Sequence, residues 1–304
     1  MKREFFPATT LYCLIGNPVS HSKSPAMMNA AFATLGIDAV YLAFSVPDKE
    51  VGSVLNALKT MNVGGINVTA PHKERVIEFL DKLSPTAELS NAVNTIMPTG
   101  GNFLGHNTDG VGLVSAIKDE LSIAVSGARI LIIGAGGAAR GVIFSIAQEK
   151  PHTLTIANRT IDKAKSLRNK LKEEFQGEID INAINTIVLD FDLINREIDQ
   201  YDIVINATAI PISIAKSPVK AAQTATAPKV DFLGLNLTKM KAGALFFDMN
   251  YGKGDGDIAG IFKENGLIYS DGLAMLLHQG AHAFYLWTRQ TPPLKVMKDA
   301  LGLD

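Results

Sequence analysis

The sequence predicts an α/β protein of two domains, each built on a largely parallel sheet with helices over its faces. Three observations lead there. Short apolar runs alternate with helix-period segments through the first hundred residues, the alternation pauses near residues 105 to 125, and it then restarts through a glycine-rich strand-to-helix turn. Length agrees with this division, since 304 residues exceed one typical domain. A hydrophobic content of 47% with 19% charged residues is ordinary for a protein with a sizeable core.

The first series runs "LYCLIG", "PAMMNAAFATLG", "VYLAFSV", "EVGSVLNALKTMN", "GGINVT" and "HKERVIEFLDKL", which read alternately as strand and helix. Two β-rich arms around Thr99-Gly100-Gly101-Asn102 then signal a hairpin. "NTDGVGLVSAIKDEL" reads as a helix capped by Asn107, Thr108 or Asp109. The second series is "ARILIIGAGGAARGVIFSIAQ", "TLTIANR", "YDIVINAT" and "ALFFDMNYG". Residues 211–243, rich in Ala, Ser, Thr, Pro and Lys, read as a long loop or insertion. "GLAMLLHQGAHAFYLWTR" is an amphipathic helix with Leu273, Leu276, Leu277 and Phe284 as its core stripe, and "PPLKVMKDALGLD" reads as another helix.

Several function classes lose support from the bulk numbers. A net charge of −1 gives no electrostatic reason to expect nucleic acid or an anionic membrane as partner. No apolar window approaches bilayer-spanning length, and "MKREFFPATT" lacks the apolar run of a secretory signal, so the expected location is cytoplasmic. Cys13, the single cysteine, cannot form an internal disulfide and reads as a small buried hydrophobe.

The clearest chemical motif is "RILIIGAGGAARGVI". It places Gly134, Gly136 and Ala139 at G-x-G-x-x-G/A spacing with a strand before and a helix after, the context that marks a dinucleotide turn. Gly134 permits the tight turn, Gly136 lets backbone approach a pyrophosphate, and Ala139 lets helix and strand pack closely; Ala135, Gly137 and Ala138 complete the cradle. The next strand ends in Asn158, Arg159 and Thr160, with Lys163 one helical turn on, where an NAD site commonly carries an acid for the ribose 2′-hydroxyl. A guanidinium, a hydroxyl and no carboxylate suit a 2′-phosphate, so the expected cofactor is NADP(H).

A carbonyl-reducing nicotinamide enzyme also needs a group for the developing alkoxide and polar side chains that orient the substrate. Lys73 stands directly after the strand "GGINVTAPH", and "NAVNT" and "GHNTDG" supply Asn94 and Asp109. His72 reads as a spacer. His278 and His282 stand at i and i+4 like zinc ligands, but the position after His278 is Gln279 instead of glutamate and no third ligand is evident, so no metal is expected.

Seven motifs in order, "GNPVSHSKSP", "GGINVTAPHK", "NAVNT", "NTDGVG", "GAGGAARG", "NRT" and "DGLAMLLHQGAHAF", resemble the shikimate dehydrogenase family from Tyr12 to about Trp287. The resemblance implies reversible NADPH-dependent reduction of 3-dehydroshikimate in aromatic amino-acid biosynthesis. Lys73 and Asp109 are then the catalytic pair, Ser22 and Ser24 bind the substrate carboxylate, Asn67, Thr69, Asn94 and Gln279 contact hydroxyls or carboxylate, and Tyr251 closes over the substrate. It further implies a substrate domain of residues 1–108 completed by 271–304, a Rossmann-type NADP domain of residues 109–270, an active site in the cleft between them, and a monomer or homodimer. Two rivals stand beside it: a quinate/shikimate dehydrogenase of broader cofactor use, and a catalytically silent NADP-binding sensor. The chain departs from the family pattern at Ala209-Ile210-Pro211 and in "GKGDGD" after Tyr251, and carries Lys163 where an arginine is frequent.

Overall fold

A computed structural model describes residues 6–175, 183–210, 212–214, 230–231, 234–252 and 257–303. The chain divides into two compact units. One holds the residues up to Ala116, Arg140–Phe144 and the chain from Ala274; the other holds Ile117–Ala139 and Ser145–Leu273.

The first unit begins β1 (Thr10–Gly16), α1 (Ser24–Thr34), β2 (Ala39–Ser45), α2 (Val51–Thr60) and β3 (Gly65–Val68). It continues with β4 (Lys82–Leu83), α3 (Pro85–Ser90), the hairpin β5 (Thr95–Thr99) and β6 (Asn102–His106), and α4 (Asp109–Ser115). The sheet order is β2-β1-β3-β5-β6-β4. β1 pairs in parallel with β2 and β3, whereas β5 is antiparallel to both β3 and β6, so this sheet is mixed where the sequence predicts a mostly parallel one. For β5 and β6 the cause is the hairpin: Gly100 and Gly101 both take positive φ (+56° and +80°), the geometry of a two-residue turn that reverses the chain at once.

A second departure lies at "HKERVIEFLDKL". The sequence predicts a helix; the structure has a 3₁₀ segment over Arg75–Phe79 and then β4. The Asp81 carboxylate there accepts from the Phe103 backbone N–H and from Lys59 Nζ, both at 2.7 Å, long-range contacts that outbid local helix propensity. The Lys59 ammonium beside it also holds the Asp81 carboxyl below the usual carboxylate range.

The second unit's strands are β7 (Arg129–Ile133), β8 (Thr153–Asn158), β9 (Ile184–Val188) and β10 (Ile203–Asn206), with α5 (Gly137–Gln148), α6 (Ile161–Glu174) and α7 (Phe191–Glu197) connecting them. β11 (Ser213–Ile214) and β12 (Val230–Asp231) form a separate two-stranded ladder, and β13 (Leu245–Asp248), α8 (Ile258–Glu264) and β14 (Ile268–Ser270) follow. Its main sheet, β14-β13-β10-β7-β8-β9, is parallel throughout, and the chain winds outward from β7 first one way and then the other. Of the segment 211–243, residues 211, 215–229 and 232–233 lie outside the described residues, as do 253–256 of "GKGDGD".

Two final helices, α9 (Leu273–Thr288) and α10 (Leu294–Leu301), return to the first unit. Leu277 and Phe284 of α9 and Met297 of α10 are buried with Tyr12, Met27, Met28, Phe32 and Tyr41 on one face of that sheet. Cys13, Ile15, Leu55, Val68 and Ile96 form the core on the opposite face. Burial pushes the Cys13 thiol up to about 12, so it packs as a neutral hydrophobe. α4 also belongs to this unit, whose first stretch of chain runs to Ala116. Its Gly112 lets α4 lie directly on α9, since an added Cβ would meet the Gln279 Cβ at 2.7 Å. Among the described residues no helix is long and apolar enough to cross a membrane.

Candidate active site

β3 is fully buried along "GINV", and its end sets the first group of side chains. Asn67 is 5% exposed: its Oδ1 accepts from the Tyr41 hydroxyl at 2.7 Å, and its Nδ2 donates to the Asn94 carbonyl and to Thr95 Oγ1, both at 3.1 Å. Past the strand, the Thr69 N–H donates to the Ile15 carbonyl and the Val93 N–H to the Lys73 carbonyl, at 2.9 and 2.8 Å. The His72 ring, wholly buried, lies 2.7 Å from the Val46 carbonyl through Nε2. That turn leaves Lys73 projecting from a fixed backbone.

The end of the hairpin sets the second group. Asp109 opens α4, where a carboxylate is favoured by the helix dipole, and its own N–H donates to Asn107 Oδ1 at 3.0 Å. Its Oδ2 accepts from Lys73 Nζ at 2.7 Å and its Oδ1 from Asn94 Nδ2 at 2.7 Å. The lysine side chain is 22% exposed and the aspartate 5%, so the carboxylate is withdrawn from water while the ammonium still reaches it.

Asn94 joins both groups. Its Oδ1 accepts from the Thr108 N–H at 2.8 Å and from Thr95 Oγ1 at 3.0 Å; its Nδ2 also faces Thr108 Oγ1 at 2.9 Å and Gln279 Oε1 at 3.4 Å. Lys73, Asp109, Asn67, Asn94 and Gln279 thus form one hydrogen-bonded set, and Tyr41, Thr95, Asn107 and Thr108 belong to it although the sequence does not mark them as site residues. Thr108 and Asn107 had a signal in "NTDG" and Thr95 in "NAVNT"; Tyr41 had none, since its role arises only when β2 and β3 share a sheet. Ser22 and Ser24 stand at the start of α1, where the Ser24 N–H donates to Ser22 Oγ at 3.2 Å. Tyr251 belongs to the second unit, in the segment after β13.

In that second unit the glycine turn has the shape a dinucleotide needs. Gly134 takes φ +117°, and an added Cβ would lie 2.9 Å from the Ala207 carbonyl oxygen, so only glycine fits. At Gly136 an added Cβ meets nothing within 4 Å, so the backbone before α5 faces open space into which a pyrophosphate fits. Ala139 is fully buried, as close helix–strand packing requires. At the end of β8 the Asn158 amide donates to the Thr160 carbonyl at 2.9 Å, shaping the turn that carries Arg159; Lys163 follows in the first turn of α6. Among the described residues no group of three His, Cys, Asp or Glu could hold a metal ion.

A sheet wound two ways from a glycine turn, in a chain whose other unit presents a lysine held by a buried aspartate, marks a two-domain dinucleotide-dependent dehydrogenase. The chain belongs to the shikimate dehydrogenase family: models of its substrate-binding domain, of shikimate/quinate 5-dehydrogenase and of the shikimate 5′-dehydrogenase C-terminal domain match residues 14–96, 116–233 and 272–301. A shikimate dehydrogenase (NADP⁺) of Bacillus mycoides is 37% identical over 95% of this chain and 96% of its own. A shikimate dehydrogenase crystallised with NADP⁺ matches with a TM-score of 0.82 at 34% identity, over 98% of this chain and 96% of the other. The Listeria monocytogenes shikimate 5-dehydrogenase, solved with shikimate and NAD, matches with a TM-score of 0.81 at 32% identity, over 99% of each chain.

Asn94→Ala removes the amide that fills one oxygen of Asp109 and leaves the buried Thr108 N–H without its acceptor. Each such orphaned group costs about 1–3 kcal/mol. Urea denaturation of Asn94→Ala is therefore expected to show a lower midpoint by at least that amount of stability, with the slope unchanged.

Proposed function

We propose that this protein catalyses the reversible reduction of 3-dehydroshikimate to shikimate with NADPH. The observation that carries the reading is the 2.7 Å contact between Lys73 and a nearly buried Asp109, in a chain of this family. When bound, the nicotinamide supplies the hydride that adds to the ketone carbon. Lys73 answers the charge that develops on the ketone oxygen. An ammonium has three N–H donors; the one given to Asp109 fixes its direction, and another faces the substrate oxygen and passes it a proton as the alcohol forms. In the oxidative direction the neutral amine takes the hydroxyl proton. Asp109 supports the charged lysine and holds it in place, and it keeps that role because Asn94 fills its second oxygen.

The remaining polar groups suit a small acid with several hydroxyls. Ser22 and Ser24 take the carboxylate with neutral hydroxyls; Thr69, Gln279, Asn67 and Asn94 line the hydroxyl-bearing side, the two asparagines also holding that surface in place through the buried bonds described above. Tyr251 is a further substrate contact implied by the family resemblance. For the cofactor, Gly134–Ala138 cradle the pyrophosphate, and Asn158, Arg159, Thr160 and Lys163 take the 2′-phosphate, Arg159 through its planar fork and Lys163 as a point charge.

The direct test is initial-rate oxidation of NADPH with 3-dehydroshikimate, repeated with NADH and, in reverse, with shikimate and quinate. Turnover that favours NADPH and shikimate supports the proposal; comparable rates with NADH or quinate point to a broader quinate/shikimate dehydrogenase, and no turnover points to a sensor. Lys73→Ala is expected to lower kcat by about 10²–10⁴-fold, the usual share of a general acid, with little change in KM. Arg159→Ala is expected to raise KM for NADPH at least about tenfold while leaving that for NADH near the wild-type value, the loss of one charge-assisted phosphate contact.

A further inference from the structure

The second unit buries a carboxylate that no step above uses. Asp248, the last residue of β13, is 1% exposed. Among the described residues it has no ion-pair partner, and four N–H groups occupy it instead. Its Oδ1 accepts from Asn206 Nδ2 at 2.9 Å, from the Asn250 backbone N–H at 3.0 Å and from Asn250 Nδ2 at 2.8 Å; its Oδ2 accepts from the Ile212 backbone N–H at 2.9 Å. Burying a carboxylate is expensive unless its oxygens are filled in this way, and the groups that fill it are thereby fixed.

Those groups belong to two segments. One follows β10: Asn206 Nδ2 also donates to the Ile210 carbonyl at 2.8 Å, and Asn206 Oδ1 accepts from the Thr208 N–H and hydroxyl at 3.0 and 2.8 Å. The other follows β13, where Asn250 Nδ2 donates to the Thr208 carbonyl at 3.0 Å and so ties the two together directly. Tyr251 is the next residue. Removal of Asp248 would take from both segments the one acceptor they share.

Their place in the sheet gives this a meaning. β10 and β13 lie on one side of β7, and β8, which ends in Asn158 and Arg159, lies on the other. A dinucleotide in such a sheet spans the strand where the order reverses, one nucleotide over each half. With the adenosine 2′-phosphate at β8, the nicotinamide half falls over the ends of β10 and β13. We propose that Asp248 is the positioning residue for the nicotinamide half of the cofactor: it touches neither cofactor nor substrate, but locks residues 206–210 and 212 and residues 249–251 into one platform. This rests on the NADP reading given above.

The test compares wild type, Asp248→Asn and Asn250→Ala as full-length proteins, by calorimetric binding of NADP⁺ and of adenosine 2′,5′-bisphosphate, which carries only the adenine half. In Asp248→Asn an amide N–H₂ replaces one acceptor oxygen, and in Asn250→Ala the bridge to Thr208 is lost with Asp248 intact; the second carries the test if the first fails to fold. Expected is a tenfold or greater loss of NADP⁺ affinity in Asp248→Asn and a smaller loss in Asn250→Ala, with adenosine 2′,5′-bisphosphate within twofold of wild type in both and kcat reduced. Equal weakening of both molecules, or of neither, overturns the proposal while the cofactor reading stands. Wild-type protein that binds neither overturns the cofactor reading and the proposal with it.

Discussion

A carboxylate removed from water must have both oxygens filled, and the first unit is arranged around that requirement at Asp109. Lys73 fills one oxygen and Asn94 the other, at 2.7 Å each. Each partner then needs its own support. Lys73 has a turn tied to β1 and to the backbone before α3's neighbouring strand through the Thr69 and Val93 N–H bonds; Asn94 has Thr95 and Thr108, and through Thr95 it reaches Asn67 and Tyr41. A single desolvated charge thus dictates the polar interior at the ends of β3, β5 and β6.

Among the described residues, the second unit meets the same requirement without a counter-ion. Asp248 is as buried as Asp109, but amide N–H groups alone fill it. The chemical consequence differs. At Asp109 the charge is compensated by a group that can give up a proton, so the pair suits acid–base work; at Asp248 every partner is a fixed dipole, so the result is rigidity. Function follows from which partner the fold brings to the carboxylate.

Local chemistry was legible in the sequence and long-range chemistry was not. The glycine turn, the hairpin at Gly100-Gly101 and the helices α1, α2, α5 and α9 each depend on residues near in sequence, and each stands where the sequence places it. The segment after Lys73 was misread because Asp81 is drawn to Phe103 and Lys59, contacts no helical period reveals. β14 went unread because three residues carry too little alternation to register. At the site, Lys73, Asp109, Asn94 and Asn67 were visible as motif residues, but the hydrogen bonds from Tyr41 and Thr95 that fix them cross the sheet from other strands. The burial of Asp248 was invisible for the same reason: "FFDMN" looks like any strand end.

The central claim is that Lys73 and Asp109 act as one unit, and a double-mutant cycle on kcat/KM for 3-dehydroshikimate reduction tests it most directly. Lys73→Ala, Asp109→Ala and the double variant would be compared with wild type under identical conditions. If the aspartate works through the lysine, the double variant is no slower than Lys73→Ala alone. Losses that multiply, so that the double variant falls by the product of the two single effects, would contradict the account.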